Sequence, residues 1–532
     1  MINMKRLIIT TIILLAATVG VTVVYFNNLN RTGPRTRETI LTIPDNAALI
    51  LEINNDKGFY EIFNDSQLFT SIIGKETIAD LDTLRKQLLQ SPQLERFFDE
   101  QNIFISLHPL KNNTIELLLT TAANSKFKTK NFDELMKEKG KGILITPLNL
   151  GGKKGYTIYS NIIKKRFYLL GREDGIFSGS FSIDLAMQAA QYGIKKHKQA
   201  FVLLPDQQNN NSLINLYVNY SQLAPLFEQL FKNKNTDIFK CFKTMPALAA
   251  MSLNFKSDAL MFNGFSQIQS DAPMGYLSLF AAQQPIVNQL KDIFPSTTAY
   301  SVNFAVSNSQ QFRNDLSTYF DKAGLQHEKD SIFNRVKTET GTNFSNEFNQ
   351  LLGNEFAVVT TRYQEKLGII TLKDGSKLKP ILYNAATMST DNVGRLNYNK
   401  LPYFLLGDVF SAFGHPWFMV IDNYLILANT ESELHSYHEA YINRKFQSKL
   451  QQYNRFDNLL AQRSNVTWYI NIKNAQPILK NDLHENFYKA YENNKPGWKD
   501  LYAASYQLIT SGKKFYTGFC MQLNPVDTVK SN

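Results

Sequence analysis

Cysteine is nearly missing from this chain. There are two in 532 residues, Cys241 and Cys520. Two thiols close one bridge at most, so a disulfide framework is excluded and two buried free thiols are expected. Histidine is scarce as well, at seven. No zinc ribbon, dinucleotide fingerprint or catalytic triad can be assembled from the residues present. After residue 26 no predominantly apolar stretch is long enough to cross a bilayer, so a multi-pass helical membrane protein is not expected. Apolar residues are not lacking. They make up 43% of the chain, with 12% aromatic, ample for packed cores and against a disordered body. The length calls for two to four domains.

The stretches that come nearest to known chemistry fall short of it. Gly151-Gly152-Lys153-Lys154-Gly155 is glycine-rich and basic but lacks P-loop spacing and its Ser/Thr, so it reads as a hairpin or loop. Ser178, in Gly175-Ile176-Phe177-Ser178-Gly179, misses the nucleophile-elbow spacing by one residue and reads as a strand serine. His435 and His438 stand one helical turn apart near Glu431 and Glu439, a spacing that can hold a metal. Their helix buries Leu434, Tyr437 and Tyr441, which turns His435 and Glu439 to solvent. No catalytic, cofactor-binding or metal residue is therefore expected, no cofactor is implied, and an enzyme is not the expectation.

One long apolar run does exist. Lys5 and Arg6 precede Leu7 to Phe26, twenty residues without a charge. As a helix they reach about 30 Å, the thickness of a hydrocarbon core. The run is longer than a cleaved signal peptide's core and has no small-x-small site after it. Residues 1–26 thus read as an uncleaved signal anchor, with a cleaved signal peptide as the alternative. Arginines at 31, 35 and 37 nearly balance the charges before the span, so the positive-inside count does not set orientation. The short basic start followed by a long apolar run favours export, with the bulk of the chain extracytoplasmic. Residues 27–42 are polar, carry Gly33-Pro34, and read as a tether.

Two distant stretches read alike. Tyr217, Asn219 and Pro225 recur as Tyr469, Asn471 and Pro477, each 252 residues on. Ile43-Pro44 and Ala48 answer Phe294-Pro295 and Ala299. The strand-like Ile115 to Leu119 answers Leu367 to Thr371, Phe167 to Ser180 answers Trp417 to Asn429, and Ser257 and Gly264 answer Ser511 and Gly518. The offsets stay between 249 and 254 and in one order. The reading is α+β: two tandem copies of a similar, mostly antiparallel sheet-plus-helices unit, 43–275 and 290–525, joined by 276–289, behind one transmembrane helix, with a tail at 526–532. The Tyr-x-Asn…Pro pattern itself reads as a strand-to-helix corner, Asn ending the strand and Pro setting an early helical turn.

Local patterns place a helix over Thr77 to Phe98, with Ile78, Leu81, Leu84 and Leu88 on one face. A further helix is expected over Phe132 to Lys139 and a strand over Phe201 to Leu204. Ser182 reads as the cap of a helix from Ile183 to Tyr192, and Asp422-Asn423 and Lys256-Ser257-Asp258 as hairpin turns.

The formal charge is +11, and most of it sits between Lys126 and Lys198, with 15 Lys/Arg against 6 Asp/Glu. A basic stretch of this kind reads first as a solvated surface; as a binding feature it can meet anionic lipid or an acidic partner, and for an exported body nucleic acid is not among the expected partners.

The anchor, the tether and the start Ile43-Pro44-Asp45-Asn46-Ala47-Ala48-Leu49 together resemble an uncharacterised family of membrane-anchored bacterial envelope proteins, whose folded part opens on a Pro-x-x-Ala strand. The Asn-, Phe- and Tyr-rich composition is similar to that of Gram-negative envelope proteins. The resemblance implies a single-pass protein of the inner membrane with a periplasmic body. It implies no function and no site residue. The expectation for function is a non-enzymatic interaction or scaffold protein of the envelope. The alternatives are a binder or carrier of a lipid or other amphiphile in a cleft between the two units, and an envelope hydrolase.

Overall fold

The computed structural model describes residues 36–54, 66–90, 95–98, 101–111, 113–124, 127, 142–150, 152–192, 212–232, 245, 247–268, 274–494, 497–512 and 514–525. The expected anchor 1–26, the helix at 132–139, the strand at 201–204, Cys241 and the tail lie outside the described residues. Among the described residues no helix is long and apolar enough to cross a membrane.

The fold is mixed α+β and is dominated by one large antiparallel sheet of 20 strands. Its first ten strands are β1 (Leu49–Ile53), β2 (Ile103–Pro109), β3 (Ile115–Ala122), β4 (Ile143–Leu150), β5 (Lys153–Ser160), β6 (Arg166–Gly171), β7 (Ile176–Ser180), β8 (Ile214–Asn219), β9 (Ala247–Phe255) and β10 (Ala259–Ile268). After a short strand β11 (Ile286–Val287) come β12 (Thr298–Ala305), β13 (Leu352–Thr361), β14 (Lys366–Leu372), β15 (Ala386–Met388), β16 (Val393–Leu396), β17 (Trp417–Ile421) and β18 (Tyr424–Ala428). Then follow β19 (Arg463–Ser464), which pairs with β11 outside the main sheet, β20 (Val466–Asn471), β21 (Leu501–Ser511) and β22 (Lys514–Leu523).

The ladder runs β4-β5-β6-β7-β3-β2-β1-β8-β9-β10 and continues β22-β21-β20-β12-β13-β14-β18-β17-β16-β15. The strands met from the two ends correspond in chain order. The two halves meet along β10 and β22, where Asn263 faces Gly518 and Gly264 faces Thr517. Gly264 sits there because a Cβ would run into the backbone of the neighbouring strand, at the Ala250 carbonyl and the Met251 Cα.

Side-chain alternation then divides the sheet's faces. On one face Leu216, Val218, Met251, Phe262, Phe519, Tyr506 and Trp468 belong to a core that draws on both halves. The same core takes in the connector, whose 3₁₀ turn Tyr276–Ala282 buries Tyr276, Leu277, Leu279 and Phe280. Phe280 stacks among Phe304, Phe312 and Phe356, with centroids 4.9 to 6.4 Å away. Such ring pairs each add about 0.5–1.5 kcal/mol beyond their area.

Several local expectations differ from the outcome. The run from Thr77 to Phe98 is not one helix. It is α1 (Lys75–Leu84), a π turn over Arg85–Leu89 and a separate turn Glu95–Phe98. β4 runs on through Pro147 to Leu150, which proline tolerates because, among the described residues, β4 pairs on one side alone, with β5. The tether's end is structured: Thr36–Ile40 is helical, and Ile40 and Ile43 pack with Ile50 and Phe104. Ser182 does cap α2 (Ile183–Gln191), accepting from the Leu185 N–H.

Candidate functional site

The repeated stretch builds the same corner twice. Asn219 ends β8 and caps α3 (Tyr220–Leu230), its Oδ1 accepting from the Ser221 N–H at 3.2 Å. Asn471 ends β20 and caps α6 (Ile472–Asp482), its Oδ1 accepting from the Asn474 N–H at 2.9 Å. Pro225 and Pro477 stand inside the second turn of each helix, where the ring removes one helical hydrogen bond. Tyr217 turns to the opposite sheet face, where its OH donates to Glu52 at 2.6 Å. Tyr469 is buried there too, beside Tyr453, Phe456 and Tyr502.

The residues between these signature positions point the other way and enclose a cavity. Its volume is about 330 Å³. One wall comes from Leu216, Val218, Leu223 and Phe227, the other from Trp468, Ile470, Ile478 and Leu479. Met251, Ala504, Tyr506 and Phe519 line it from the central strands. The two helices α3 and α6 meet at their C-terminal ends. Phe231 and Leu483 form an antiparallel bridge, the Lys232 N–H donates to the Asp482 carbonyl at 2.7 Å, and the His484 N–H donates to the Leu230 carbonyl at 2.9 Å. Phe231 and Leu483 are themselves 252 residues apart, like the signature residues. The cavity thus sits at the junction of the halves, with sheet on one side and the joined helix ends on another.

A chain of hydroxyls ties the two halves near this cavity. Tyr220 OH meets Ser266 Oγ at 2.7 Å and also Tyr506 OH, and Ser266 Oγ meets Thr517 Oγ1 at 2.6 Å. Burial pushes the Tyr220 phenol up to about 12, so it stays protonated and available as a donor.

Among the described residues, Asp482 is the one charged side chain on the cavity wall. Desolvation raises its carboxyl above the usual range, against the opposing pull of Lys366 and Lys232. The Asp482 carboxyl thus lies in electrostatic reach of two ammonium groups, those of Lys366 and Lys232. The rest of the lining is almost wholly apolar carbon and aromatic ring, which can hold a hydrocarbon by burial.

The other sequence candidates stay apart from this cavity. Ser178 is buried in β7, and Gly152 sits in the β4–β5 turn. His435 lies exposed on α5 (Glu431–Ile442), 3.8 Å from Glu431, and no group of three metal-ligating side chains forms among the described residues. Cys520 is a buried free thiol, which burial pushes up to about 12. Reasoning from the sequence missed Asp482, Tyr506 and Ala504. The recurrence of the two stretches was the available signal, since neighbours of the matched residues form both walls.

Comparison with protein families, with curated proteins and with solved structures finds no match to this chain.

Proposed function

We propose that this protein holds the apolar part of an amphiphile in the cavity between its two halves, as a non-enzymatic, membrane-anchored component of a bacterial envelope. The observation that carries the reading is the cavity of about 330 Å³ with a single charged residue on its wall. Apolar cavities of about 150 Å³ take up benzene, six carbons. By that measure this one holds roughly a dozen carbons, the size of a medium-length acyl chain. Burying each methylene contributes about 0.8 kcal/mol, enough in sum to outweigh the cost of association. Asp482, Lys232 and Lys366 would meet the head group where the chain leaves the wall.

A tandem duplication, 43–275 and 290–525, is part of the proposal. It is supported by the matched strand order and by the constant offset of the repeated residues. It supplies a reason for the cavity's place, since like elements that meet across a junction leave space where neither fills the other's side. The anchor at 7–26 and the exported body belong to the same reading and are supported by the apolar run alone.

Native mass spectrometry of the full chain purified from membranes tests it. The expected spectrum carries a bound amphiphile, or takes up an added dodecyl amphiphile in preference to a hexyl one. A protein that arrives empty and takes up neither sinks the reading.

A further inference from the structure

A second surface lies far from the cavity, at the end of the sheet formed by β4, β5 and β6. Leu144 is 62% exposed, Tyr159 39% and Ile162 66%. Leu144 pairs with Tyr159 across β4 and β5, and Tyr159 pairs with Arg166 across β5 and β6, so the three share one row on one face. Ile162 stands at the tip of the turn that joins β5 to β6. That turn is held by the Lys164 N–H donating to the Ser160 carbonyl at 2.8 Å, with Lys164 in the left-handed region at φ 56°. Lys164 and Arg166 are exposed beside the apolar tip. Lys165 turns away instead and bridges Asp80 at 2.8 Å and Glu76 at 3.5 Å.

Exposed large apolar side chains gathered at one tip and rimmed by cations mark an interaction surface. A folded core has no use for Ile162 here, and water penalises it. We propose that this tip docks on an anionic bilayer, Ile162 and Leu144 entering the acyl boundary, Tyr159 lying at the head-group level, and Lys164 and Arg166 meeting lipid phosphates. Two arguments select lipid over a protein partner. The tip belongs to the most basic stretch of the chain. The other rests on the reading of 7–26 as a membrane span. Nine residues, 27–35, then separate that span from the helix Thr36–Ile40, and nine residues reach about 30 Å at most. That helix packs in the same half as the tip, so the half carrying the tip is the one held close to lipid.

The test uses the full chain in nanodiscs of phosphatidylcholine, with and without phosphatidylglycerol, followed by hydrogen exchange over Tyr159 to Arg166. Two cations at about 1 kcal/mol each predict roughly 30-fold stronger docking on the anionic discs, read as slowed exchange there and not on the neutral ones. Lys164→Glu with Arg166→Glu abolishes the difference, and Ile162→Asp removes the protection, both with an unchanged thermal midpoint. A chain that enters the discs and exchanges equally in both compositions overturns the docking while leaving the anchor intact. A chain that does not enter them overturns the anchor. Flotation with preformed vesicles of the same two compositions then decides the docking: flotation with the anionic vesicles that is lost in Lys164→Glu/Arg166→Glu supports it, and none overturns it.

Discussion

Filling the cavity from its floor separates binding from stability. Ala504 lies on β21 between Ile470 and Met521, 8% exposed, with its methyl on the cavity wall. Ala504→Phe adds a six-carbon ring. A ring of that size occupies about 150 Å³ of an apolar cavity, nearly half of what is there. A ligand chain then loses room for about six methylenes. At about 0.8 kcal/mol each this is roughly 5 kcal/mol of lost burial, or more than three orders of magnitude in affinity for a dodecyl chain. A hexyl chain still fits and loses far less.

Stability moves little in the same variant. The new ring gains about 1.5–3 kcal/mol by leaving water, and imperfect fit costs a similar 1–3 kcal/mol. The net change stays within about 2 kcal/mol. The assay is displacement of an environment-sensitive fluorescent amphiphile by dodecyl and hexyl competitors, beside urea unfolding of the same samples. If the folded variant binds the dodecyl competitor as tightly as the parent does, the cavity is not where the chain goes, and the argument fails.

Tyr506→Phe removes one of the two hydroxyls that Tyr220 meets and leaves Ser266 in place; losing that one hydrogen bond costs about 0.5–1.5 kcal/mol, read as a lowered urea midpoint with an unchanged m-value. Gly264→Ala pushes β9 and β10 apart at the junction of the halves and is expected to cost 3 kcal/mol or roughly more, whereas Gly152→Ala, with open space around its backbone, pays mainly for its positive φ and costs about 1–2 kcal/mol; parallel thermal melts compare them. His108 is held neutral by burial down to about 3, while the unfolded imidazole protonates near 6.5, so the unfolded state binds the extra proton in that window. Stability therefore falls as pH drops from 6.5 toward 3, by up to about 1.4 kcal/mol per unit, and His108→Gln should flatten that part of the curve in pH-dependent denaturation.

What could be read in advance was local chemistry. Ser182 caps its helix because a side-chain oxygen one residue before a helix meets free N–H groups whatever surrounds it. Asp422 turns a hairpin at φ 50°, a conformation that Asp tolerates. The buried stripe Leu434 and Tyr437 follows from helical spacing. What could not be read was set by distant partners. Nothing within Arg85–Leu89 announces a π turn. A strand through Pro147 becomes legible only once β4 is seen to pair, among the described residues, with β5 alone. The cavity is the extreme case, since nearly all its wall residues lie in ordinary apolar patterns and its two walls come from stretches 252 residues apart.

The meeting of α3 with α6 changes the weight of the Tyr-x-Asn…Pro signature. Its named residues serve the corner: Asn219 and Asn471 cap, and Tyr217 reaches Glu52 on the far face. In a strand, whatever lies one residue off a buried structural position faces the opposite side. So a pattern kept for the corner also fixes which residues face the junction, namely Leu216 and Val218 in one half and Trp468 and Ile470 in the other. The two walls are alike in register and unlike in bulk, with Trp468 standing where the first half has Leu216. A cavity between matched halves is symmetric only if its walls are, and this one is not. The walls differ in charge as well, with Asp482 standing where the first half has Leu230, an asymmetry that would suit the amphiphile proposed above.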